Sequence, residues 1–197
     1  MNFERFEKQL AFILEADKEK NILRQTHLSN HGRRENDAEH AWHMAMMIYL
    51  LKEYANEEFD VARAMMMALI HDVVEIDAGD TYAYDPKAAE SQKEREEKAA
   101  ERIFGMLPMD QMQELRGLFE EFEEGTSPEA KFAKAMDNFQ PLLLNNSNGG
   151  SDWREHGVKK SQVLKRHGNT ALGSEVIGEY SRELIEKNVR EGNIKDE

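Results

Sequence analysis

Cysteine is absent from this 197-residue chain. That absence excludes disulfides, thiolate nucleophiles and Cys-type zinc sites, and it fits a reducing compartment such as the cytoplasm. Long apolar runs are also missing: no stretch approaches the ~20 residues a membrane span requires. The charged start, Met1-Asn2-Phe3-Glu4-Arg5, lacks the apolar core of a signal peptide. Cations are scarce, with 26 Lys and Arg against 39 Asp and Glu for a net charge of −13. Such a surface repels polyanions, so a nucleic-acid polymer is not an expected partner. A small phosphorylated ligand remains compatible if a few arginines and a metal converge on it. No Gly-rich phosphate loop is present, which excludes a P-loop kinase or ATPase.

What is there is helical periodicity. Hydrophobic residues make up 40% of the chain, enough for a substantial core. Phe3, Phe6, Leu10, Ile13 and Leu14 form one stripe at spacings of three and four. Residues 20–36 look irregular. Asn36 or Asp37 caps a helix over about 37–55, whose apolar side includes Ala41, Met44, Met47, Ile48 and Leu51. Asp60 caps a short, nearly all-apolar helix from Val61 to Val73, a pattern that belongs at the centre of a core. Further helices are expected near 87–106, 109–124 and from Thr126-Ser127-Pro128 to about Leu144. A turn-rich loop then covers 145–150, with two more helices over 151–166 and 173–190. The expected fold is all-α, a compact bundle of about seven to nine helices in one domain. Met44, Met46, Met47, Met65, Met66 and Met67 read as core filler, and the acidic runs 90–101 and 120–124 as solvated helix faces.

Chemistry concentrates in a few residues. His71 and Asp72 stand side by side at the end of the apolar helix. About 100° apart, they can still reach a metal beside a helix end, one from each flank. Glu75 lies one turn further on, and Asp80 follows Gly79 in the loop. His40, preceded by Glu39, is near the start of its own helix. Asp137 falls inside an otherwise apolar helix, where a carboxylate costs free energy unless it is paired or metal-bound. His43 reads as a supporting or packing residue, and His27 and His31 as loop residues.

The order His40, His71-Asp72, Asp137 resembles the HD-domain superfamily of metal-dependent phosphohydrolases. The extended motif from His71 through Glu75 to Gly79-Asp80, with Ala38-Glu39-His40 upstream, is similar to the branch containing the 5′-deoxynucleotidases. The similarity spans roughly 10–145, with 150–197 as a C-terminal helical extension. It implies one divalent metal (Mn, Co, Mg, Fe or Ni) held by His40, His71, Asp72 and Asp137, which polarises a phosphoryl group and activates water. Glu75 and Asp80 would be the catalytic carboxylates, Glu75 orienting or deprotonating the water. Arg33, Arg34 and Arg24 would receive substrate phosphate. The resemblance also implies a homodimer.

One departure matters. The deoxynucleotidases carry an aromatic after the first arginine, where this chain reads Arg24-Gln25-Thr26-His27-Leu28. Trp153 and Arg154 are the candidate substitutes, with Trp153 packing a C-terminal helix as the alternative. No histidine occurs between His71 and His156, which argues against a two-metal HD centre and for redox-neutral chemistry. Three functions follow: a nucleotide phosphomonoesterase first, then a hydrolase of a nucleoside triphosphate or alarmone, then a nucleotide-binding regulatory module without turnover.

Overall fold

The computed structural model of the chain describes residues 3–79 and 92–197. Helix α1 (Glu4–Ala16) leads through a 3₁₀ turn (Asp17–Asn21) into strands β1 (Leu23–His27) and β2 (Arg34–Asn36), which pair antiparallel. Helices α2 (Asp37–Leu51), α3 (Val61–Ile70) and α4 (Glu75–Ala78) follow. Beyond the undescribed segment come α5 (Gln92–Phe104), α6 (Met109–Glu124) and α7 (Pro128–Ser147). The chain closes with α8 (Ser151–His156), α9 (Lys160–Arg166), α10 (Thr170–Gly173) and α11 (Glu175–Arg190). The fold is all-α apart from that small hairpin.

Local chemistry sets the helix starts. Asn36 and Glu39 form a reciprocal capping box on α2, with Glu39 N–H donating to Asn36 Oδ1 at 2.9 Å. Asp60 Oδ1 accepts from the Ala62 and Arg63 amides, and Ser127 Oγ accepts from Ala130 N–H with Pro128 next to it. Helix α3 packs against α2, α6 and α7, and Met44, Ile48, Met67, Phe132 and Met136 fill the space between them. Gly173 lets α10 press onto α7, since a Cβ there would overlap the Lys131 backbone.

Several expectations are corrected. Residues 23–36 are not merely irregular but a hairpin. The second helix ends at Leu51, with a 3₁₀ turn over Lys52–Tyr54, and the apolar helix stops at Ile70, leaving His71–Val74 in a turn. The expected loop over 145–150 starts only after Ser147. The helix expected over 151–166 splits at Gly157, whose φ of +60° is a left-handed stop. Of the stripe on α1, Phe6, Leu10, Ile13 and Leu14 are exposed, and Phe12, stacked on Phe104, anchors the helix instead. Met46 and Met66 face outward, so only part of the methionine set is core.

Candidate metal centre and cavity

Three elements deliver the site. His40 comes from the first turn of α2, His71 and Asp72 from the turn after α3, and Asp137 from the middle of α7. One ligand atom from each of His40, His71 and Asp72 lies within 4.8 Å of the others. Asp137 Oδ1 is 3.1 Å from His40 Nε2 and 3.9 Å from His71 Nε2, and His71 Nε2 is 3.1 Å from Asp72 Oδ1. His40, His71 and Asp72 thus form the mutual cluster, and Asp137 meets it from the side of the two imidazoles. Pro141, four residues after Asp137, also removes the N–H that would pair the Asp137 carbonyl in a regular helix.

Both imidazoles are held from behind. His71 Nδ1–H donates to the Ala68 carbonyl at 2.8 Å, so Nε2 faces the cluster, where its close polar neighbours are the Asp72 and Asp137 carboxylates. His40 Nδ1–H donates to Gln140 Oε1 at 3.1 Å. The Gln140 amide nitrogen donates in turn to Glu35 Oε1 at 2.6 Å and to His43 Nδ1 at 3.1 Å, which fixes the amide orientation. This is the outer-shell arrangement that leaves an imidazole lone pair free for a cation.

The electrostatics point the same way. Burial and the Arg24 charge lower the His40 pKa to about 4, leaving a neutral imidazole. Burial also opposes protonation of His71, but the Asp72 and Asp137 carboxylates override it and raise His71 to about 9. Burial would raise Asp72, yet His71 and Arg24 hold it well below its usual range. Asp137 is held low in the same way, chiefly by Arg166. Glu35, Asp37, Asp72 and Glu75 are all buried in this region, with Arg24 and Arg166 as the closest cations. A cluster that needs a proton on a buried histidine to offset its carboxylates is one where a divalent cation fits.

A cavity of about 300 Å³ opens onto the cluster. Its wall includes Asp72, Glu75, Asp137, Arg24, Lys134, Arg166 and Trp153. The volume is at the small end for ligand pockets, suited to a small molecule rather than a polymer. Arg24 Nη1 donates to Asp72 Oδ2 at 2.7 Å and lies 3.4 Å from Asp37 Oδ1. Arg33 and Arg34 do not line the cavity. The exposed Arg33 guanidinium is engaged by the Glu39 carboxylate, 2.8 Å from Nη1, and by the Arg34 carbonyl at 3.0 Å. Asp80 lies outside the described residues. Trp153 is buried in the cavity wall, whereas Arg154 turns away to the Gly149 carbonyl and Asn193.

Sequence reasoning passed over Arg166, Lys134, His156, His167 and Gln140. Arg166 Nη2 is 3.2 Å from Asp137 Oδ2. Gln140, three residues after Asp137 on α7, shares its face, and that spacing was the available signal. Arg166 and Lys134 look from sequence like ordinary solvated cations.

Known proteins resemble this chain in sequence and in fold. The family described as HD domain matches residues 16–176. A crystal structure from Magnetospirillum magnetotacticum MS-1, described as a predicted metal-dependent phosphohydrolase, superposes with a TM-score of 0.94 at 46% identity, covering 98% of this chain and 97% of its own. The human protein named 5′-deoxynucleotidase HDDC2 is 35% identical over 114 residues, 58% of this chain and 54% of its own length. The fission yeast 5′-deoxynucleotidase hdd1 is 31% identical over 113 residues, 55% of each protein. The chain thus spans about half the length of the curated relatives it matches. With the profile match running from the end of α1 through the first residues of α11, this chain belongs to the HD domain family.

Proposed function

We propose that this protein is a metal-dependent phosphohydrolase that removes phosphate from a nucleoside monophosphate, by the activity in the names of its curated relatives. The observation that carries the reading is the cluster of His40, His71 and Asp72, with Asp137 against both imidazoles, beside a cavity that also holds Glu75. Those four residues would hold one divalent ion, whose mixed nitrogen and oxygen ligands suit Mn, Co, Fe or Ni, and Mg less well. When bound, the ion supplies Lewis acidity toward a phosphoryl oxygen and toward water.

The chain's own groups do the rest. Glu75, at the start of α4 on the cavity wall, accepts the proton of the attacking water and returns it to the leaving alkoxide. Arg24 steadies Asp72 and, with Arg166 and Lys134, offers N–H donors to phosphate oxygens, the role expected from sequence of Arg24 together with Arg33 and Arg34. Asp80, which lies outside the described residues, is carried as the second catalytic carboxylate on the sequence motif alone. Trp153 supplies the apolar wall against which a sugar or base packs. Because α8 and α9 help enclose the cavity, we read residues 150–197 as part of the same domain rather than an appendage. The homodimer implied by family resemblance has a candidate face in the exposed stripe Trp42, Met46, Tyr49 and Leu50 on α2.

The test is phosphate release from a panel of nucleoside mono- and triphosphates with Mn²⁺, Co²⁺ or Mg²⁺ after chelation. Metal-requiring turnover of monophosphates is expected, with Asp72→Ala losing metal and activity and Glu75→Gln keeping metal while losing turnover. Metal bound without turnover on any member of the panel would overturn the hydrolase reading.

A further inference from the structure

We propose a second cation site, built from His27, His31 and Asp152 and separate from the His40–Asp137 cluster, for a zinc-class divalent ion (Zn²⁺, Co²⁺ or Ni²⁺). Three segments meet there: the last residue of β1, the hairpin loop and the first turn of α8. One ligand atom from each of the three side chains lies within 4.8 Å of the others.

The carboxylate is buried and aimed. Asp152 Oδ2 accepts the His27 backbone N–H at 2.9 Å, which leaves Oδ1 2.7 Å from His27 Nδ1. The second imidazole is brought in at a conformational cost. His31 is the one non-glycine residue among those described with a positive φ, +57°, although it is exposed on a loop where glycine would sit without strain. That backbone puts its ring 4.6 Å from the His27 ring, centroid to centroid. The Ser151 hydroxyl lies 2.9 Å from His31 Nδ1 and 3.4 Å from Asp152 Oδ1, available to orient the ring or to add an oxygen.

The dimensions suit a small tetrahedral ion. Metal–ligand bonds of about 2.0–2.2 Å place ligand atoms roughly 3.4 Å apart around such a centre. The His27–Asp152 pair therefore opens by less than about 1 Å when an ion replaces the shared proton, which leaves to solvent. Two imidazoles with one carboxylate select zinc-class ions over Mg²⁺ or Ca²⁺, which prefer all-oxygen sites. A plain His27–Asp152 hydrogen bond ties the hairpin to α8 and accounts for that pair, but it does not require a second imidazole within 4.8 Å of the same carboxylate. Thr26, Asp152 and Trp153 also line the cavity, so an ion here pins one cavity wall.

The experiment counts metal, not turnover, so it reads out whether or not the proposed hydrolysis holds. The chelated full chain is re-equilibrated with Zn²⁺, desalted and analysed for zinc per chain, alongside His31→Gly and the double variant His71→Ala/Asp72→Ala. Glycine accepts φ +57° without strain, so His31→Gly should fold at least as well as the parent, and His31→Asn serves as a second left-handed-tolerant variant. Two ions are expected in the parent and one in each variant, with the weaker Zn²⁺ dissociation constant rising at least ~10-fold in His31→Gly. One ion in the parent that the double variant loses, or two ions retained by His31→Gly and His31→Asn, would overturn the proposal.

Discussion

Glu19 sits in the 3₁₀ turn after α1, buried, with Oε1 lacking a hydrogen-bond partner. Burial first, and then repulsion from Asp72, raise its pKa from 4.5 to about 7 in the metal-free protein, against a smaller opposing pull from His71. For a carboxyl group whose folded pKa lies above its unfolded value, the unfolded chain releases its proton first as pH rises. The folded state is therefore unpenalised below pH ~4.5 and loses stability progressively up to pH ~7. At 1.36 kcal/mol per pH unit the full penalty is about 3 kcal/mol. Glu19→Gln removes the titration and keeps the shape. Thermal unfolding of the chelated protein should show little difference between parent and Glu19→Gln at pH 4.5. At pH 8 the variant should melt higher, by about 5–10 °C for a chain of this length.

The same residue reports on the metal. Because Asp72 supplies part of the rise, a cation on Asp72 should shrink the advantage of Glu19→Gln at pH 8, measured with saturating Mn²⁺. An equal difference at both pH values, or a variant less stable than the parent at pH 8, would refute the view that Glu19 is a buried charge strained by Asp72.

Gln140→Met keeps the volume but removes the amide between His40, His43 and Glu35, so Mn²⁺ affinity by calorimetric titration should fall ~10–100-fold, and an unchanged affinity would remove the positioning role. Arg166→Ala should raise KM for a nucleoside monophosphate by roughly 10-fold or more with a smaller effect on kcat, as expected for a lost charge-assisted bond to phosphate. If KM holds and only metal affinity changes, Arg166 serves Asp137 alone. Trp42→Glu should convert a dimer to a monomer in sedimentation equilibrium, and a parent that sediments as a monomer would discard the α2 face.

Much of this site was legible from sequence because buried charge is conspicuous where periodicity is strong. Helices α2, α3, α6 and α7 announce themselves by apolar spacing and caps, so an imidazole or carboxylate within them stands out. The hairpin did not, since its strands, Leu23–His27 and Arg34–Asn36, are short, polar and lacking a β-branched run. That gap explains the arginines. Arg33 and Arg34 are nearer His40 in sequence than Arg24 is, yet the capping box places Glu39 where it captures the Arg33 guanidinium, while β1 turns Arg24 inward to Asp72. Proximity along the chain does not say which arginine faces the cluster, because a strand reverses direction and alternates faces. Arg166 was hidden for a different reason. Its helix ends in Lys165-Arg166-His167, which by composition is a solvated terminus, and only the break at Gly157 turns it back against Asp137. A count of charges sees 39 acids and 26 bases, but the chemistry depends on which few are denied water. Around the cluster those include Glu19, Glu35, Asp37, Asp72 and Glu75, an excess of buried negative charge that Arg24 and Arg166 offset only in part. A bound cation would supply the remainder, and for that reason stability, pH response and metal affinity should move together in every variant that touches the cluster.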